Sequence, residues 1–223
     1  MTLDNVGRSA YPQTMRPESS PSGRKRNPII EEARRRQIVD AAIETVAEVG
    51  YAQASLARIA QRAQTSKSVV SYHFAGKDEL LEQVVTQIYA DSWAFIEPRL
   101  AAQSSAAGKL AAYIESNIAY MHARRAHLLA VVAVVGNHRS ADGRLRFEPS
   151  ADESVLTLLG EILRTGQRDG EFRDFDPRLV AVTVSQAIIG VLGAWVADPT
   201  VDPTSYAAEL VTLFDRATRS QGD

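Results

Sequence analysis

From Glu31 onward the hydrophobic positions of this chain recur at helical spacing almost without interruption. Ile38, Ala42, Thr45/Val46 and Val49 mark one face of a first helix, and Gly50 supplies its stop. Ser55 reads as the N-cap of a short helix through Arg62, with Leu56, Ile59 and Ala60 facing inward. After a break at Ala63-Gln64-Thr65, Ser66 caps a second short helix to about Tyr72. His73-Phe74-Ala75-Gly76 breaks the pattern again. A long amphipathic helix then starts at Lys77, carries Leu80, Leu81, Val84, Ile88 and Trp93, and closes near Pro98. Further helices fit 108–123, 125–136, 152–169, 177–197 and 203–219, with polar or Gly/Pro-containing stretches at 140–149, 170–176 and 198–202. No period-2 run is bounded by Asn-Gly or Asp-Gly, so strands are not expected. The pattern predicts an all-α chain without internal repeats: a tail over 1–30, a three-helix domain over 31–77 and a larger helical domain over 78–223.

Composition narrows the chemistry. The 223 residues are 45% hydrophobic and 23% charged, ordinary for a globular protein. With no cysteine there is no disulfide, thiolate metal site or cysteine nucleophile. The four histidines, His73, His122, His127 and His138, include no pair four apart, which excludes a helical His-x-x-x-His zinc site. The longest purely apolar run, 128–135, is too short to span a bilayer, and the N-terminus carries no secretory stretch. A cytoplasmic protein without membrane partner, cofactor or metal is expected.

Charge is segregated. Residues 1–77 hold 12 basic and 7 acidic side chains, whereas 78–223 hold 13 and 20. A cationic front suits a polyanion. Gly23-Arg24-Lys25-Arg26 lies in a Pro- and Ser-rich stretch without periodicity. It reads either as an arm for a minor groove or for phosphates, or as a solvated tail.

The two short helices three residues apart form a helix-turn-helix. In that arrangement the first helix crosses the DNA backbone and holds the second with its N-terminal residues in the major groove. Val69 and Val70 are the apolar anchors. Ser66, Lys67, Ser68 and Ser71 are short or polar and can face outward; Lys67 can reach a guanine edge or a phosphate.

Ser55-Leu56 through Ser66-Lys67, followed by Tyr72-His73-Phe74-x-x-Lys77-Asp78-Glu79-Leu80-Leu81, resembles the TetR family of bacterial transcriptional regulators. The resemblance is specific over about 33–81 and architectural beyond. It implies that Ser55 offers its helix N-terminus to a phosphate, that Tyr72, His73 and Lys77 meet the DNA backbone, and that Phe74 locks the second helix into the core. It also implies a homodimer on double-stranded operator DNA, with a small-molecule inducer in the rear domain. The chain departs from the family pattern at Gln64 (usually Gly), Thr65 (usually small and apolar), Ser68 (often Gly) and Ser71 (often aromatic). If Gln64 holds a positive φ, the strain is ~1 kcal/mol.

In the rear domain, 177–197 is rich in Val, Ile, Leu and Ala with Gly190, Gly193 and Ala194, and 203–219 places Tyr206, Leu210, Leu213 and Phe214 on one face. These two helices fit either a four-helix interface between two subunits or the core of one subunit; the resemblance favours the interface. Tyr89, Trp93, Tyr113, Asn117, Tyr120, Met121 and His127 lie on helices expected to enclose a pocket for a mainly apolar ligand, and aromatics at that spacing equally suit an ordinary core. No Gly-x-Ser-x-Gly, Gly-x-Gly-x-x-Gly or Walker-type stretch is present, and Asp152 and Glu153 look like helix-start charges, so no enzyme is expected. The expected function is a ligand-released repressor, with a constitutive DNA-binding regulator as the alternative. The 77–97 helix, shared by both domains, would be its hinge.

Overall fold

A computed structural model describes residues 28–147 and 153–220. The Gly23–Arg26 stretch and Asp152 lie outside the described residues. The described chain is all helical: α1 (Pro28–Gln53), α2 (Leu56–Arg62), α3 (Lys67–His73), α4 (Lys77–Ala101), α5 (Ala106–Ala123), α6 (Arg125–Asn137), α7 (Glu153–Arg168), α8 (Pro177–Ala197) and α9 (Pro203–Thr218). Its two isolated β-bridges join Arg139 to Leu145 and Phe172 to Arg219.

The helix ends follow local chemistry. Pro28 and Glu31 open α1 three residues before the expected start; proline tolerates the first turn, and an acid there suits the helix dipole. Gly50, at φ 77°, breaks α1 ahead of the Tyr51–Gln53 turn. Asp176 and Asp202 cap α8 and α9, each followed by proline at the first helical position. Ser105 caps α5.

Three expectations change. Helix α4 does not close near Pro98 but runs on to Ala101, because Ile96 and Leu100 are buried and anchor that last turn. Trp93 stands 40% exposed; the core position of that turn belongs to Ser92, four residues after Ile88. The 140–149 stretch reads as a plain loop in the sequence, but its described part folds into a small hairpin around Asp142-Gly143, with Gly143 at φ 82°.

One hydrophobic cluster runs from Ile38 and Val70 in the front helices to Leu163, Val184 and Phe214 in the rear. Helix α1 packs along α6, α4 along α5, α5 along α9 and α7 along α8. Helices α5 and α6 are bent by 99° at Arg124. Helix α8 is long and apolar enough to cross a membrane, which the run-length argument missed because Thr183, Ser185 and Gln186 interrupt it. Its Val184, Ser185, Ile188 and Val191 are buried within the bundle.

Candidate nucleic-acid interface

The α2–α3 unit is fixed by two serine caps. Ser55 Oγ accepts the Arg58 N–H at 3.3 Å, and Ser66 Oγ accepts the Val69 N–H at 3.3 Å. Between them Gln64 adopts φ 51°, the left-handed conformation that its usual glycine would take without strain. The turn is held from α1, where Gln37 Nε2 donates to the Ala63 carbonyl at 2.9 Å. Val70 and Phe74 are buried on the inner side of α3.

The outer side of α3 is open. Ser66, Lys67, Ser68, Ser71 and Tyr72 are all exposed, and the Ser66 and Ser68 hydroxyls pair at 2.7 Å. Ser55 is exposed at the start of α2, beside Arg58. Sequence patterning does not single out Arg58; a basic residue in the first turn after a serine cap is the signal that could have found it.

His73 and Lys77 sit deeper than the others. His73 stacks edge-on to Tyr72 at 5.0 Å, and burial, then Arg35, lowers its pKa. Lys77 Nζ donates to the Tyr51 carbonyl at 2.6 Å and lies 4.7 Å from the Tyr51 ring centre. Burial lowers its pKa against the opposing pull of Asp78. An ammonium has three donors, so this bond and a phosphate contact are compatible. The neighbouring Arg34-Arg35-Arg36 run largely serves the fold: Arg36 pairs with Asp91 at 2.9 Å, and Arg35 donates to the His73 carbonyl.

The seven ligand candidates differ in their surroundings. Tyr113, Tyr120 and Met121 are buried in the core, whereas Tyr89 is 46% exposed. Asn117 Nδ2 donates to the Tyr113 carbonyl at 2.9 Å, and the Tyr120 hydroxyl lies 2.9 Å from His127 Nδ1. A cavity of about 80 Å³ lies between α5 and α9, bounded by Leu110, Ile114, Phe172 and Phe214, and none of the seven lines it.

His127 carries a pH prediction. Burial, then Arg124, lowers its pKa from the ordinary 6.5. Unfolding frees it to take up a proton, so the stability it contributes is complete above about pH 6.5 and declines as pH falls toward its folded value. His73 acts in the same direction. The melting temperature should therefore fall between about pH 7.5 and 5.5, and His127→Gln should flatten that slope; an unchanged slope would refute the role given to His127.

Residues 38–84 match the profile of the bacterial regulatory proteins, tetR family. The match to the TetR family model is confined to the front domain. The HTH-type transcriptional regulator BetI of Paraburkholderia phytofirmans is 40% identical over 87 residues, which take in 39% of this chain and 45% of that protein. The chain thus matches less than half the length of this curated relative. Across the rear domain the likeness is one of fold. The fatty acid degradation regulator FadR from Bacillus halodurans superposes with a TM-score of 0.71 at 21% identity, over 81% of this chain and 97% of that one. FadR from Bacillus subtilis, in complex with stearoyl-CoA, superposes with a TM-score of 0.67 at 22% identity, over 80% and 96%. These relatives are named as regulators, not as enzymes.

Proposed function

We propose that the chain is a cytoplasmic, homodimeric repressor whose α3 helices read a palindromic DNA operator and whose rear domain, over 78–223, binds a small-molecule effector. The observation that carries the reading is the two-sidedness of α3. Val70 and Phe74 hold it rigidly, while Ser66, Lys67, Ser68, Ser71 and Tyr72 face solvent at the positions that meet base edges and phosphates. Selection of duplexes from a random pool with the purified protein should return a palindrome. Lys67→Ala should change base preference at one position per half-site, by about 1–3 kcal/mol of discrimination. Failure to retain any duplex in dilute buffer would overturn the reading.

Support for the dimer comes from α8 and α9. Leu179 and Ile189 on α8 and Tyr206 and Leu213 on α9 are 47–64% exposed, and Gly190 and Gly193 would let a partner helix approach closely. Leu213→Asp should convert the dimer to monomers in sedimentation velocity and lower operator affinity at least tenfold, since each monomer reads only one half-site. A monomeric wild type would refute the interface.

The effector reading draws on the fold shared with the stearoyl-CoA complex of a neighbour. Accommodating such a ligand here requires the rear helices to part, so the effector would select an open state of the bundle. If that state spaces the two α3 helices wrongly, operator affinity falls by the ratio of the effector's affinities for the two states. Loss of operator binding with one compound from a metabolite panel would identify it. Unchanged binding across the panel would favour the constitutive regulator.

A further inference from the structure

The hairpin that follows α6 is ordered by its own bonds. The Ser140 N–H donates to the Arg144 carbonyl and the Arg146 N–H to the His138 carbonyl, each at 2.9 Å. At the tip, Asp142 accepts the Ser140 hydroxyl at 2.6 Å and the Arg144 N–H at 3.2 Å. Arg139 Nη1 reaches across the turn to the Gly143 carbonyl at 3.0 Å.

Its base is fastened to the front domain. His138 is 1% exposed, with Nδ1 3.1 Å from the Tyr51 hydroxyl and Nε2 3.6 Å from Glu82. Arg146 Nε donates to the same Glu82 carboxylate at 2.9 Å. Tyr51 in turn holds Lys77 through its carbonyl, and Ser55 lies four residues further along the chain. The hairpin base is therefore one side chain removed from the α4 start, one of the segments that would lie along the duplex backbone.

The local charges do not all cancel. Arg146 is matched by Glu82, and the Asp142 carboxylate is taken up by the turn. Asp78, 3.9 Å from His138, is the acid that shares this corner with Lys77. Arg139 and Arg144 remain exposed, with no carboxylate within ion-pair distance among the described residues. A guanidinium fork matches a phosphate in shape as well as charge.

We propose that Arg139 and Arg144 form a second phosphate-binding site, in which the rear domain itself grips the DNA backbone beside the half-site read by α3. The proposal rests on the reading of α3 as a DNA reader. Because the hairpin continues from α6, a shift of α6 against α1 would carry both arginines away from the duplex. DNA affinity would then report the state of the rear domain through a direct contact.

The test is the salt dependence of affinity for the selected duplex, wild type against R139Q/R144Q. The double variant should weaken operator and scrambled duplex alike, and the slope of log affinity against log salt should become shallower by ~0.9 for each phosphate no longer neutralised. His138→Phe keeps both arginines but removes the bonds to Tyr51 and Glu82, and should move the slope in the same direction. An unchanged slope in R139Q/R144Q, with its melting temperature intact and the wild type binding normally, overturns the proposal. A wild type that binds no duplex overturns the α3 reading and this proposal together.

Discussion

Replacing Phe74 by alanine is expected to remove about 3–5 kcal/mol of stability and with it all sequence-specific DNA retention. The ring is 1% exposed at the C-terminal cap of α3. Its backbone N–H closes α3 on the Val70 carbonyl at 3.0 Å. The Arg35 guanidinium covers one face of the ring, 4.4 Å from its centre, while also donating to the His73 carbonyl. One turn further, Glu79 accepts the Ala75 N–H at 2.6 Å and lies 4.0 Å from Arg35. Without the ring, Arg35 loses its platform, α3 loses its inner anchor, and a void opens that these short helices can collapse into only by tilting. Phe74→Leu keeps most of the volume and should cost less than about 1.5 kcal/mol. Denaturant unfolding followed by circular dichroism measures both. A loss below about 1 kcal/mol for the alanine variant would mean that the serine caps, not the core contact, position the reader.

The front domain was legible because its signals are local. A serine cap acts on an N–H three residues away, and a glycine or a strained glutamine acts on its own φ. Hence Ser55, Ser66 and Gly50 could be placed from the chain alone, and the family's usual glycine flagged the position of Gln64, whose φ is 51°. The expected starts of α8 and α9, at 177 and 203, coincide with the observed ones, where an aspartate cap and a proline again act locally. What failed depends on distant partners. Helical periodicity assigns Trp93 an inward face, but the neighbours of α4 take Ser92 instead and leave the indole 40% exposed. Pro98 predicts a stop, and buried Leu100 overrides it. The bond from the Lys77 ammonium to a carbonyl 26 residues earlier in the chain is likewise invisible to local spacing. The His138 cluster joins residues as far apart as 51 and 146, and nothing in the spacing announces it. A pocket is a still more collective property, since it is space left by several helices, and the aromatic pattern on α4 and α5 could not distinguish it from core.

Gly166→Ala should be the most damaging single-methyl change in the rear domain. A Cβ built there falls 2.2 Å from Phe172 Cδ2, 2.5 Å from Cε2 and 2.9 Å from the Ala106 Cβ. Alanine is otherwise the better helix former, so propensity alone predicts a gain of up to ~1 kcal/mol near the end of α7. Overpacking works against it at about 1–3 kcal/mol, and the surroundings give it little room to relax. Phe172 is 5% exposed, and its N–H donates to the Gly166 carbonyl at 3.0 Å. The preceding Glu171 caps α5, its carboxylate accepting the Ala106 and Ala107 N–H groups at 3.0 and 2.9 Å. Moving the Phe172 ring therefore pulls on the cap of α5 and on the wall of the cavity between α5 and α9. The net effect should be a loss of about 1–2 kcal/mol, with the clash exceeding the propensity gain. Phe172→Ala relieves the clash, so G166A/F172A should be more stable than the sum of the two single changes by at least about 0.5 kcal/mol. Additive losses would show that the ring and the α7 backbone do not compete for this space, and a net gain from Gly166→Ala alone would show that the methyl is absorbed without strain.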